Sequence, residues 1–122
     1  MKIASLDFET ANQSRISMCS AGVALFDGSQ LVESKSWLIK PPKGHGFFIP
    51  EWTDEIHGLN WFSVKDAPEF PAVAPEIMDC LVRADIVIAH NASFDMSVLE
   101  QTLQHFQLPR PSLRYLCTCR LA

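Results

Sequence analysis

The sequence predicts an α/β fold built on one sheet of mixed direction. Three observations carry that prediction. Two β-rich runs within "MCSAGVALFDGSQLVESKSWLIK" meet at Asp27-Gly28, a strong hairpin signal, so the chain opens as an antiparallel meander. The short apolar run "DIVIAH" (85–90) lies between two helical patterns and suits a buried parallel strand. The apolar run of residues 2–9 precedes both and is expected at the centre of the sheet, beside and parallel to 85–90.

The elements follow in order. Strands are expected at 2–9 and on either side of Asp27-Gly28. The stretch 41–64, "PPKGHGFFIPEWTDEIHGLNWFSV", is irregular and rich in Pro, Gly and aromatics, with a short helix near 51–57. A connection this long in a compact domain points to function. A helix is expected from about Ala74 to Arg83, then the 85–90 strand. A second helix within "NASFDMSVLEQTLQHFQL" takes Asn91 or Ser93 as its cap and places Met96, Leu99, Leu103 and Phe106 on one face. Pro109 and Pro111 end it, and "SLRYLCTCRLA" reads as a fifth strand.

The 122 residues are enough for one domain with a real core, and 48% hydrophobic with 20% charged residues is ordinary for a globular protein. No apolar run reaches membrane-spanning length and no signal peptide is visible, so a cytoplasmic protein with no membrane partner is expected. The net charge of −4 speaks against a passive nucleic-acid binder, which would be basic. It speaks less against an enzyme that meets phosphates through carboxylate-bound metals. Cys19, Cys80, Cys117 and Cys119 lack the paired Cys-x-x-Cys spacing of a zinc site, and Cys117 and Cys119 would share a strand face, so reduced core cysteines are expected.

"IASLDFETAN" (3–12) raises the functional question. Alternation puts Asp7 and Glu9 side by side at the end of the first strand, with Phe8 turned to the opposite layer. Taken alone, such a pair is more often a frayed strand end than a metal site. Asp95, however, falls in the first helical turn beyond the 85–90 strand. In open α/β sheets, sites form beyond the carboxyl ends of such strands. Three acidic residues from distant parts of the chain therefore converge on one crevice, which favours a metal site.

"LDFETAN", "IHGL", "DAPEF" and "AHNASFDMSVLE", in this order along essentially the whole chain, resemble the DEDD-type 3′–5′ exonucleases, among them the proofreading (epsilon) subunits of bacterial DNA polymerase III. The resemblance implies a ribonuclease H-like fold on which Asp7, Glu9 and Asp95 bind metal and catalyse hydrolysis at a single-stranded DNA 3′ end. It implies that Thr10 and Phe8, then His57 and Gly58, then Asn91 and Phe94, contact substrate. It implies two Mg2+ or Mn2+ ions and, as a partner, a DNA polymerase subunit. The family's third motif, which supplies the general base and a fourth carboxylate, is expected on a later helix and has no match here. "HNASFD" (90–95) fits that motif letter for letter, but its place between a strand and a helix suits the second motif. The chain therefore reads as a single exonuclease-like domain, 1–122, incomplete at its C-terminal end and lacking the closing helices. Three carboxylates suffice for one ion, two tightly held ions are not expected, and loss of a general base costs about 10²–10⁴-fold.

None of the histidines is a convincing substitute. His45 in "GHG" reads as a mobile surface residue and His90 as a hydrogen-bonded structural one. His57 is balanced between substrate contact and capping of local backbone, and His105 lies too far along its helix. Trp37, Trp52 and Trp61 could stack bases, and Lys40, Lys43 and Lys65 could line a phosphate path. Packing and a solvated surface are the commoner roles for each. Without closing helices the sheet would leave apolar surface and a bare edge, so a homo-oligomer is expected. Two alternatives stay open: a non-catalytic polymerase- or DNA-binding module of the same fold, and an exonuclease that trims RNA.

Overall fold

A computed structural model describes residues 1–118. The strands are β1 (Lys2–Thr10), β2 (Met18–Asp27), β3 (Gln30–Leu38), β4 (Ile86–Ala89) and β5 (Tyr115–Cys117). They form a five-stranded sheet in the order β3-β2-β1-β4-β5. β1, β2 and β3 pair antiparallel, whereas β4 pairs parallel to both β1 and β5. The expected meander, the central first strand and its parallel neighbour are all present.

The hairpin turn falls one residue later than Asp27-Gly28. Asp27 pairs with Gln30, leaving Gly28 and Ser29 in the loop. Gly28 has φ 59°, the left-handed region that a two-residue turn requires of a glycine. β5 is shorter than the expected run: Cys117 is half-buried at its end, and Cys119 lies outside the described residues.

Four helices are described: α1 (Pro50–Trp52), α2 (Trp61–Val64), α3 (Phe70–Val82) and α4 (Ala92–His105), with a π-helical turn over Thr53–His57. The sequence anticipates α1 and the π turn as one short helix but misses α2. α2 is held by Asn60, whose side chain accepts from the Ser63 N–H while the Asn60 N–H donates to the Ser63 hydroxyl. α3 begins four residues before the expected Ala74. Pro71 fits the earlier start, because a proline in the first turn has no N–H to lose and a preset φ. The earlier start brings Phe70 and Val73 into line with Ile77 and Leu81 on the buried face. In α4, Met96, Leu99 and Leu103 are buried and Phe106 packs against them, as the spacing implies.

One face of the sheet makes the core. Ala4, Leu6 and Phe8 of β1, Ala21, Val23 and Leu25 of β2 and Val87 of β4 are buried in one cluster with α3 and α4. The alternate residues Ile3, Ala24, Phe26, Ile86 and Ile88 are only half-buried. Asp7 and Glu9 belong to that second set by alternation. Among the described residues, no helix is long and apolar enough to cross a membrane.

Candidate active site

The site begins where two strands part. β4 pairs with β1 only from Ile3 to Ser5, so the last turns of β1 lose their neighbour on that side. A buried N–H without a ladder partner must find another acceptor. The Phe8 N–H finds it in Asp95, whose Oδ1 accepts at 2.9 Å across 87 residues of sequence. α4 starts directly after β4, which is why its first turn can deliver a carboxylate there. Asp95 is 4% exposed. Phe8, placed at the substrate by the resemblance, is instead a core residue; its contribution to the site is this backbone N–H.

The three carboxylates sense one another. Burial pushes the Asp95 carboxyl up to about 6 from an ordinary 3.8; the Phe8 N–H partly offsets this and the Asp7 charge adds to it. Glu9 is raised by burial and then by the charges of Asp7 and Asp95. Asp7 stands at the solvent-facing rim, yet the protein packed against it also raises its pKa by desolvation. Burial pushes the neighbouring Cys19 thiol up to about 12, and the Glu9 charge adds to that shift. Among the described residues, no salt bridge involves any of the three carboxylates. Upward shifts of this kind, caused by desolvation and like charge in a crevice, mark a site that would gain from a positive ligand.

The donor set suits a hard divalent cation, because it consists of carboxylate oxygens alone. It is also an open set. Among the described residues, no three His, Cys, Asp or Glu side chains are grouped closely enough to ligate one ion by themselves.

The loop after β1 and the 41–60 stretch are hydrogen-bonded to each other at the exit of β1. A bulge between Glu9 and Thr10 ends the regular ladder. His57 sits on the emerging chain: its Nδ1 accepts from the Leu59 N–H at 3.0 Å, so its Nε2 carries the proton and donates to the Thr10 carbonyl at 3.2 Å. Gly58 follows at φ 71°, which lets the chain double back beneath the ring. Of its two sequence readings, backbone capping is the one the bonds describe, at the last residue of the carboxylates' own strand. The Thr10 side chain is buried, which leaves its backbone carbonyl as the group fixed by His57.

Asn91 occupies the N-cap of α4 without a side-chain cap bond and is exposed beside the site. Phe94 is half-buried and carries the Arg15 guanidinium over its ring, 4.6 Å from the centroid. Arg15 is the residue the sequence reading missed. A single Arg in a loop carries no local signal, and only the fold brings it to the helix that bears Asp95. The Arg15 carbonyl accepts from the Thr102 hydroxyl at 3.5 Å, which pins that loop to α4.

His45 is not the mobile surface residue its Gly flanks suggest. It is half-buried, with Nδ1 3.0 Å from the Ser14 hydroxyl and its ring edge-on to His105 at 5.6 Å. His90 does make structural bonds. Its carbonyl accepts from the Cys117 thiol, and its Nδ1 lies 3.4 Å from the Thr118 hydroxyl.

Comparison with known proteins fits this fold. Over 74 residues the chain is 31% identical to a Mycobacterium tuberculosis (strain CDC 1551 / Oshkosh) protein assigned as a bifunctional exonuclease/endonuclease, spanning 61% of this chain but 11% of that protein. Exonuclease X, solved with 5′-overhanging duplex DNA, superposes with TM-score 0.74 at 24% identity, covering 98% of this chain and 61% of that one. The Escherichia coli exonuclease I–single-stranded DNA complex superposes with TM-score 0.84 at 13% identity, covering 98% and 28%. The nuclease domain of 3′hExo, a DEDDh family member bound to rAMP, gives TM-score 0.71 at 16% identity over 92% and 62%. The chain thus spans less than two thirds of the length of these proteins, and the structures share its fold. The family model described as exonuclease (RNase_T) matches residues 5–122, so the chain belongs to that exonuclease family.

Proposed function

We propose that this chain is a 3′–5′ exonuclease domain that removes nucleotides from a single-stranded DNA end, with Asp7, Glu9 and Asp95 as its metal-binding carboxylates. The observation that carries the reading is the electrostatic coupling of three carboxylates at the carboxyl ends of two parallel strands. Bound Mg2+ or Mn2+ would supply Lewis-acid activation of the phosphate and a water of lowered pKa. The protein's own work is positional. The Phe8 N–H fixes Asp95, the β1 backbone carries Asp7 and Glu9 on one face, and His57 locks the Thr10 carbonyl at the strand's exit. Asn91, Gly58 and the face of Phe94 border the space where the terminal nucleotide would lie.

A positioned general base contributes about 10²–10⁴-fold to such a hydrolysis, and this reading assigns that role to none of the three carboxylates. A polymerase subunit and a second copy of the chain are the partners this reading allows. The test is nucleotide release from a 3′-labelled single-stranded oligonucleotide with Mn2+, beside an Asp7→Ala control. Release that the substitution abolishes supports the reading, and release that survives it refutes the assignment of the site. RNA is the second substrate to test, because the fold neighbour 3′hExo was solved with rAMP. Competition between matched DNA and RNA oligonucleotides decides it.

A further inference from the structure

The 41–60 stretch builds more than a wall for the carboxylates. Lys40, Lys43, Phe47 and Trp61 line a cleft of about 630 Å3 together with neighbouring prolines and glycines and one acid, Glu69. The sequence reading weighs Trp61 and the two lysines separately and does not single out Phe47, whereas the fold gathers them. Trp61 is 41% exposed and Phe47 69% exposed. The Trp61 ring rests on Gly46 so closely that a Cβ there would stand 3.1 Å from its Cζ3. The Lys40 ammonium lies over the same indole, 5.5 Å from its centroid.

The cleft is tied to the candidate active site through Asn12. The Asn12 amide donates to the carbonyls of His45 and Phe47, at 3.1 and 2.6 Å, on either side of Gly46. Asn12 itself is two residues beyond Thr10 on the chain that leaves β1. The next strut is the Ile49 N–H, which donates to the Ala11 carbonyl at 3.0 Å.

We propose that this cleft holds upstream nucleotides of the single strand whose 3′ end lies at Asp7, Glu9 and Asp95, an inference that rests on the exonuclease reading above. Exposed aromatic faces stack bases of any sequence, and ammonium groups beside them meet the phosphates. Two lysines against one glutamate make the cleft a cationic patch on a chain of net charge −4. That local reversal of sign matches a polyanion and argues against an acidic-face or purely apolar occupant.

The test measures binding without chemistry. Fluorescently labelled dT2 and dT8 are titrated with the intact chain in EDTA, and the salt dependence is recorded. dT8 is expected to bind roughly tenfold or more tighter than dT2, as one stacked base provides. Phe47→Ala, at an exposed side chain, removes that gain and leaves dT2 binding unchanged. Lys40→Ala with Lys43→Ala lowers the slope of log K against log salt by about 1.4, the amount two single-strand phosphate contacts contribute. Equal affinities of wild type and both variants for dT8 overturn the proposal, even if the chain hydrolyses DNA. Conversely, dT8 binding with these sensitivities in a chain that releases no nucleotide under any metal supports the cleft and refutes the exonuclease reading.

Discussion

Replacing Asp95 by Asn should make the metal-free protein more stable. The amide keeps an oxygen for the Phe8 N–H and nearly the same volume, but it removes a charge the fold holds at a cost. The Asp95 carboxyl titrates near 6 in the folded chain against 3.8 ordinarily. A raised folded pKa means that the folded form holds its proton more tightly than the unfolded form. Stability from this group is therefore full below about pH 4, declines as the pH rises toward 6, and is lost above it. Two units at about 1.36 kcal/mol each give about 3 kcal/mol at pH 7.5. For a domain of this size that is roughly 10 °C in Tm. Urea and thermal unfolding in EDTA should show Asp95→Asn above wild type at pH 7.5 and the two equal near pH 4. A variant no more stable than wild type at pH 7.5, or a gap that persists at pH 4, would refute the reasoning.

Two further outcomes follow from the same site. Mn2+ should raise the Tm of the wild-type chain far more at pH 7.5 than at pH 5, because all three carboxylates must be ionised to bind it; an equal shift at both pH values, by differential scanning fluorimetry, would contradict metal binding there. His57→Ala should lower stability by about 2 kcal/mol, since it orphans the Leu59 N–H and the Thr10 carbonyl at about 1 kcal/mol each. Unchanged urea denaturation would show that both groups are satisfied by water instead.

The sheet was legible in the sequence because its signals are local: Asp27-Gly28 for the hairpin, and the apolar runs 2–9 and 85–90 for the central pair. The convergence of Asp7, Glu9 and Asp95 was legible too, since strand alternation and a strand-to-helix junction fix where such residues go. What stayed hidden depends on contacts between distant segments. α2 is four residues long and owes its existence to one Asn60–Ser63 capping box, too short for any periodicity to register. His45 looked mobile between two glycines, but Ser14, Asn12 and His105 hold it and its loop. Arg15 reaches Phe94, and Lys40 reaches Trp61, only because the 11–17 and 41–60 segments fold against the helices. Aromatic and basic residues scattered in sequence carry no spacing rule that would predict a shared cleft.

The energetics of the crevice support the proposed enzyme over a binding module of the same fold. A module that only docks has no use for a carboxylate at 4% exposure whose charge is opposed by burial and by its neighbours. Neutralising Asp95 would leave its structural bond to Phe8 intact and relieve Glu9 as well, since Asp95 is one of the charges acting on it. Under the proposed function a positive ligand would reverse the sign of those interactions and offset the mutual repulsion. A structure that stabilises the ligand-bound state at the expense of the empty one is what metal-assisted phosphodiester hydrolysis requires.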